Sequence, residues 1–415
     1  MRILHTSDWH LGRSLRGADL TPAFTQWCDY LVQLVKDEKI DAVLIAGDIY
    51  DRGVPPVLMV ELLSQTLHRL LEHTQVVITS GNHDSPGRLG FASELLRSGL
   101  SIRTNAAACS QAIPLRNAAG ELGALVYGIP YLDPYLESSR LSASGEEVAR
   151  SHSAVVGAAL KNIHRSIKND EYVAAPLPRI VMAHAFVTGG ESSDSEADLH
   201  IGGVDSVPAS IFHLPPINER EPLNYIALGH LHGPQKITAT QAPLMRYSGS
   251  PIAFSFSEEH HKKSSVLLEF AEDSPENPPK ITLLPAPVYK PLATLRDSYD
   301  ALLSTKYDSY QDYFLRIYVQ DIQRPLNMNA NLRRKFPSAL EIYHSGAENV
   351  AQGENGRNEG NAAQKTSGIS APGRASAQEI LEEFFLANGA AALAKKEKEL
   401  LDALWRKAQQ EEQEL

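Results

Sequence analysis

Cysteine is scarce in this sequence, positive charge is not in excess, and long apolar runs are missing. The two cysteines among 415 residues, Cys28 and Cys109, lie far apart with no Cys-x-x-Cys spacing. That excludes a disulfide framework and a thiolate metal site. No uninterrupted apolar stretch approaches the roughly 18 residues of a membrane span, and the opening MRILHTSDWH turns polar too early for a secretory leader. The chain therefore reads as soluble and cytoplasmic, with no membrane partner. A net charge of -11 excludes attraction of the whole chain to nucleic acid, because that attraction comes chiefly from lysine and arginine neutralising phosphates. A polyanion would have to be met locally, by metals or small basic patches.

What is present is enough apolar material for real cores: 43% hydrophobic residues in a chain long enough for two or three domains. Up to about residue 275, short apolar runs alternate with helix-like segments, as in PAFTQWCDYLVQLVKDEKI before DAVLIAGD and PPVLMVELLSQTLHRLLEH before QVVITSGNHD. Alternation of this kind predicts an α/β domain. Pro-rich punctuation in PENPPKITLLPAPVYKP separates that body, residues 1–278, from a smaller α+β unit, residues 279–345. The smaller unit carries a strand candidate in YFLRIYVQD and a helix candidate around NANLRRKF. Residues 346–374 are nearly free of large apolar side chains and read as a flexible linker with a reach of about 30 Å. Residues 375–415 read as two helices with an apolar stripe. The first opens on the capping box Ser376 to Glu379, and a tethered pair too small for its own core must lie on another surface.

The informative pattern lies immediately after five apolar runs. ILH leads to Asp8 and His10; AVLIAG to Asp48; VVITSG to Asn82, His83 and Asp84; IVMA to His184; YIALG to His230 and His232. Ligand sites in open α/β sheets lie beyond the carboxyl ends of the strands, so these residues are expected to converge. Imidazole, carboxylate and carboxamide without thiolate suit borderline divalent ions such as Mn²⁺, Fe²⁺ or Zn²⁺. Seven donors are too many for one ion with open positions, and suit two ions sharing a carboxylate, able to bridge a phosphate and activate water.

Taken in order, DxH at Asp8 and His10, GDxxxR at Asp48 and Arg52, GNHD at Asn82 to Asp84, the lone His184 and GHxH at His230 and His232 resemble the calcineurin-like metallophosphoesterases. The resemblance implies a two-sheet sandwich flanked by helices. It implies Asp8, His10 and His232 on one metal, Asn82, His184 and His230 on a second, Asp48 bridging both, and His83 as the uncoordinated acid near the scissile phosphate. Asp51 in GDIYDRG matches the second Asp of a phosphatase motif whose carboxylate orients that histidine, so an Asp51–His83 pair is expected. Arg52, Arg13 and Arg88 are candidates for phosphate or DNA contact.

Four further stretches, ESSDSEADLHIGGVDSVPASIF, YIALGHLHGPQ, YSGSPIAFSFSE and HHKKSSVLLEF, resemble the SbcD branch of that superfamily. The resemblance implies a Mn²⁺-dependent DNA nuclease subunit in repair, recombination and replication. Its activities would be double-strand exonuclease and single-strand or hairpin endonuclease, with an SbcC-type ATPase partner in a heterotetramer and two copies of this chain, a possible self-dimer. Residues 279–345 resemble its capping domain, and the tail helices its dock on the partner. The alternative is a phosphomonoesterase or cyclic phosphodiesterase acting on small substrates. His5 reads as structural, and Asp84 as a loop-capping residue. His260 to Lys263 read as either a DNA contact or a solvated turn.

Overall fold

The computed structural model describes residues 1–96, 99–142, 147–196, 206–239, 243–275 and 277–345. The linker and tail-helix readings, residues 346–374 and 375–415, lie outside the described residues. The chain divides into two compact units at Pro291 and Leu292.

The first unit is built on two six-stranded sheets. One runs in the order Lys280–Pro285, Ser264–Glu269, Arg2–Thr6, Ala42–Ala46, Gln75–Thr79, Leu100–Arg103. Its last four strands are mutually parallel, and its first two are antiparallel. The other runs Gln235–Ile237, Leu244–Tyr247, Tyr225–Gly229, Arg179–His184, Leu122–Ile129, Ile113–Arg116, with a parallel centre and antiparallel edges. Alternate side chains of both sheets fill one core: Ala42, Leu44, Ala46 and Val77 meet Ile180, Met182, Tyr225 and Ala227. Period-two alternation explains why the intervening Val43 and Ile45, also buried, face the other side of the sheet. The helix Thr21–Asp37 buries Phe24, Trp27, Cys28, Leu31 and Val35 at i, i+3 and i+4 spacing. The helix His152–Asn169 does the same with Val155, Val156, Ala159, Leu160 and Ile163 in a second core outside the other sheet.

This arrangement sets the three parallel strands that end before Asp8, Asp48 and Asn82 side by side in one sheet. The two that lead to His184 and His230 are side by side in the other. The helical punctuation between them puts all five carboxyl ends at one edge of the sandwich.

The boundary expected at 278/279 moves to 291/292. Lys280–Pro285 pairs antiparallel with Ser264–Glu269 through six residue pairs, so KITLLP is an edge strand of the first unit. The prolines at its ends are tolerated because an edge strand leaves one row of N–H groups unpaired. The second unit has three parallel strands, Leu292–Asp297, Phe314–Val319 and Ala339–His344, with helices Tyr299–Leu303 and Met328–Lys335 between them. Leu295, Leu302, Ile317, Leu332 and Phe336 form its own core. Among the described residues no helix is long and apolar enough to cross a membrane.

His5 is a tie between the sheets. Its ring is fully buried, the Tyr225 hydroxyl donates to Nδ1 at 3.1 Å, and Nε2–H donates to the Leu228 carbonyl at 3.1 Å. Burial pushes its pKa down to about 3, so it stays neutral in the fold. The unfolded chain, with an ordinary histidine near 6.5, binds the extra proton first. His5 therefore contributes stability that is whole above about pH 6.5 and is lost as pH falls from there toward 3, at roughly 1.4 kcal/mol per pH unit. Urea titrations of metal-free protein at pH 7 and pH 5.5 should show a loss on acidification that is smaller in His5→Gln by about that slope. Equal losses in the two proteins would refute the assignment.

Candidate metal centre

Three of the loops that leave the five strand ends are unusually bent. Asp8, His10, Asp48 and His230 all have positive φ, at 54°, 45°, 50° and 109°. Each such non-glycine residue costs on the order of 1–3 kcal/mol, and strain of this kind concentrates at functional sites. Two main-chain bonds and one to a carboxylate hold it in place: Asp8 N–H donates to Gly47 O at 3.0 Å, His10 N–H to Asp48 O at 3.0 Å, and His230 N–H to Asp8 Oδ1 at 2.9 Å. Glycine is required where the loops touch. A Cβ on Gly81 would collide with the Asp48 carboxylate, and one on Gly229 with the Ala46 carbonyl.

All seven candidate ligands arrive in one place. Asp8, His10 and His232 present donor atoms within 4.8 Å of one another, as do Asp8, Asp48 and His184. Asp48 Oδ2 stands between the groups, 3.6 Å from His10 Nε2 and 3.4 Å from His184 Nε2. Asn82 Oδ1 lies 3.0 Å from both His184 Nε2 and His230 Nδ1. Except for the half-buried Asn82, all are buried.

The calcineurin-like phosphoesterase family model matches residues 1–234, more than half of the chain. A protein described as the SbcD subunit of the SbcCD nuclease from Rhodobacter capsulatus is 34% identical over 302 residues, 69% of this chain and 70% of that one. The chain belongs to the SbcD family of calcineurin-like phosphoesterases. Two further members bearing the same description are similar. The one from Bacillus subtilis is 36% identical over 278 residues, 65% of this chain and 66% of that one. The one from Escherichia coli K12 is 29% identical over 344 residues, 79% of this chain and 81% of that one.

Calcineurin-like phosphoesterases are metal-dependent, and the residues here fit divalent ions. His10 Nε2 and His232 Nε2 face each other at 3.0 Å, a spacing at which both lone pairs can turn to one cation when each ring carries its proton on Nδ1. Burial holds His10 well below the usual histidine range, hence neutral and available as a donor. Burial would raise Asp48, but the charge of His184 outweighs it and holds the carboxyl well below its usual range. His184 is the counterpart: burial opposes its charge, and the Asp48 carboxylate raises it to about 9. The Asp8 carboxyl is pushed up to about 6, first by burial and further by Asp48. Carboxylates this close and this buried repel until positive charge is supplied.

The expected Asp51–His83 pair forms through a different atom. His83 Nδ1–H donates to the main-chain carbonyl of Asp51 at 2.8 Å, while the Asp51 carboxylate lies 3.8 Å from Arg13 Nε. The loop path, rather than the side chain, presents the acceptor. His83 N–H also donates to Asp48 Oδ1 at 2.9 Å, and its ring stands edge-on to His10 with centroids 4.7 Å apart. Asp84 staples the loops together by accepting from Ile49 N, Tyr50 N and Gly81 N. Of the arginines, Arg13 donates to Ser195 O at 2.9 Å and stacks over Phe254, Arg88 donates to Gly53 O at 3.3 Å, and Arg52 is exposed on its loop.

Family resemblance singled out the stretches 191–212, 247–258 and 260–270 without assigning them chemistry. In the structure, residues 193–196 and Glu258 line the back of His232. Lys263 is buried against Glu258 at 2.5 Å, which corrects its reading as a DNA contact or solvated residue. Its neighbour His260 is exposed. Burial would raise the Glu258 carboxyl, but the Lys263 ammonium outweighs this and holds it well below the usual range. The signal available in the sequence was a glutamate five residues before a lysine, which is too common to single out.

Proposed function

We propose that this chain is a Mn²⁺-dependent nuclease subunit that cuts double-stranded DNA from its ends and opens single strands and hairpins, acting in the cytoplasm with an SbcC-type ATPase. The observation that carries the reading is the convergence of seven donors in two groups around Asp48. Asp8, His10 and His232 would hold one ion, Asn82, His184 and His230 the other, and Asp48 both. When bound, such ions supply Lewis-acid activation of water and neutralise charge on the phosphoryl oxygens. His83 does the proton work: with Nδ1–H fixed on Asp51 O, its Nε2 is free to carry a proton to a departing alkoxide. Arg13, beside the loop of the first ligands, is placed to meet a backbone phosphate if it exchanges its carbonyl partner for one.

A second copy of the chain is part of the reading. The helix Val57–Leu71 exposes Val57, Leu58 and Val60, and Phe91, Leu95 and Leu96 are exposed as well. A groove of about 420 Å³ lined by Val60, Leu63, Leu67, Arg88 and Leu89 lies between the helix and the segment after His83. Exposed apolar surface of this kind marks protein contacts. Two such chains with two ATPase subunits would form a heterotetramer.

The test uses the full chain with and without the ATPase partner, on end-labelled duplex, hairpin and single-stranded DNA with Mn²⁺. Shortened ends and nicked hairpins are expected, with duplex degradation dependent on ATP and the partner. Intact DNA under every condition, together with hydrolysis of a nucleotide monoester or cyclic nucleotide, would overturn the nuclease reading in favour of a small-substrate phosphoesterase.

A further inference from the structure

His232 is held at every polar group it does not turn toward the centre. The Glu196 carboxylate accepts its N–H, and the Lys263 ammonium donates to its carbonyl at 2.9 Å. Ser195 Oγ lies 2.7 Å from its Nδ1. Ser195 Oγ is in turn 2.5 Å from Glu258 Oε1. Glu258 Oε2 accepts from Lys263 Nζ at 2.5 Å and from Phe254 N at 3.3 Å. Lys263 spends its third proton on Ser250 Oγ at 2.9 Å. One proton order satisfies this chain. The ammonium fixes Glu258 as an acceptor, so Ser195 must donate to it, and Ser195 Oγ then accepts from His232 Nδ1–H. That order puts the lone pair of His232 on Nε2, the atom 3.0 Å from His10 Nε2.

A buried ion pair is weak evidence for stability, since apolar replacements of the same shape often do as well. Here all three ammonium protons and both carboxylate oxygens are engaged, and the chain ends on a single imidazole. We propose that Glu258, locked by Lys263 and acting through the Ser195 hydroxyl, is a positioning residue that sets the tautomer and aim of His232, and so governs the ion held with Asp8 and His10 selectively. The inference rests on the two-ion reading above. His184 is aimed by another acceptor, the Ala46 carbonyl, at 2.9 Å from its Nδ1, so the ion held with Asn82 and His230 should not depend on this chain. Groups that hydrogen-bond a ligating histidine typically change metal affinity by about 10- to 100-fold when removed.

Mn²⁺ titration of the metal-free full chain, read by electron paramagnetic resonance and calorimetry, tests this without any substrate. The wild type should bind two ions. Ser195→Ala and Glu258→Gln should each weaken one ion by about 10- to 100-fold and leave the other at its wild-type affinity, and Ser195→Thr, which keeps the hydroxyl, should restore the weakened one. If Glu258→Gln fails to fold, the Ser195 pair carries the test alone. Loss of both ions together, unchanged affinities, or a Ser195→Thr protein no better than Ser195→Ala would overturn the positioning role. A wild-type chain that binds fewer than two ions would overturn the two-ion reading and this inference with it.

Discussion

Asp48→Asn should abolish the paired binding of metal ions while leaving the metal-free fold nearly untouched. The Asp48 carboxylate lies within 4 Å of a donor from each group, His10 on one side and His184 on the other. Asparagine fills the same volume, and its Oδ1 can still accept the His83 N–H that Asp48 Oδ1 accepts at 2.9 Å. What disappears is the shared negative charge. Metal affinity depends on deprotonated, charged donors, and losing the bridging one should weaken binding by more than the about 100-fold that outlying groups cost. Thermal denaturation gives a clean reading. Mn²⁺ should raise the melting temperature of the wild type, because a ligand that binds only the native state stabilises it by mass action, and should leave that of Asp48→Asn unmoved, with DNA cleavage lost. A variant that still melts higher with Mn²⁺ at wild-type concentrations would remove Asp48 from the bridging position.

The contrast between Asp48 and Asp51 shows what a sequence can carry. The five strand ends were legible because apolar runs of five or six residues are easy to see, and Asp8, Asp48, Asn82, His184 and His230 come at their ends or within three residues after them. Side chains at strand ends share a place that topology fixes. Asp51 three residues later is on a loop whose turn decides which of its atoms meets His83, and the answer is its carbonyl. A main-chain acceptor leaves no trace in residue identity. KITLLP shows the same limit in another form: its flanking prolines read as punctuation, yet it is a full edge strand paired with Ser264–Glu269. Glu258 and Lys263 were hidden for a third reason, because burial turns a segment that looks like a solvated basic run into an ion pair behind His232.

His83→Ala should keep both metal ions and lose cleavage by about 10²- to 10⁴-fold, the usual contribution of a positioned acid or base. His83 is half-buried, whereas His10, His184, His230 and His232 are buried, so its ring can be reached by a substrate while theirs are turned inward. Two further tests separate this role from alternatives. If the Asp51 carboxylate oriented His83, Asp51→Ala would cost nearly as much as His83→Ala; with the carbonyl as acceptor, the loss should stay under about 10-fold, in line with a backbone bond that the substitution leaves in place. The leaving group gives the second test. An alkoxide such as a deoxyribose oxygen needs a proton as the P–O bond breaks, but a nitrophenolate leaves without one. His83→Ala should therefore hydrolyse a nitrophenyl phosphodiester far closer to the wild-type rate than it cleaves DNA. Equal losses on both substrates, or a variant stripped of metal, would show that His83 serves the ions and not the departing oxygen.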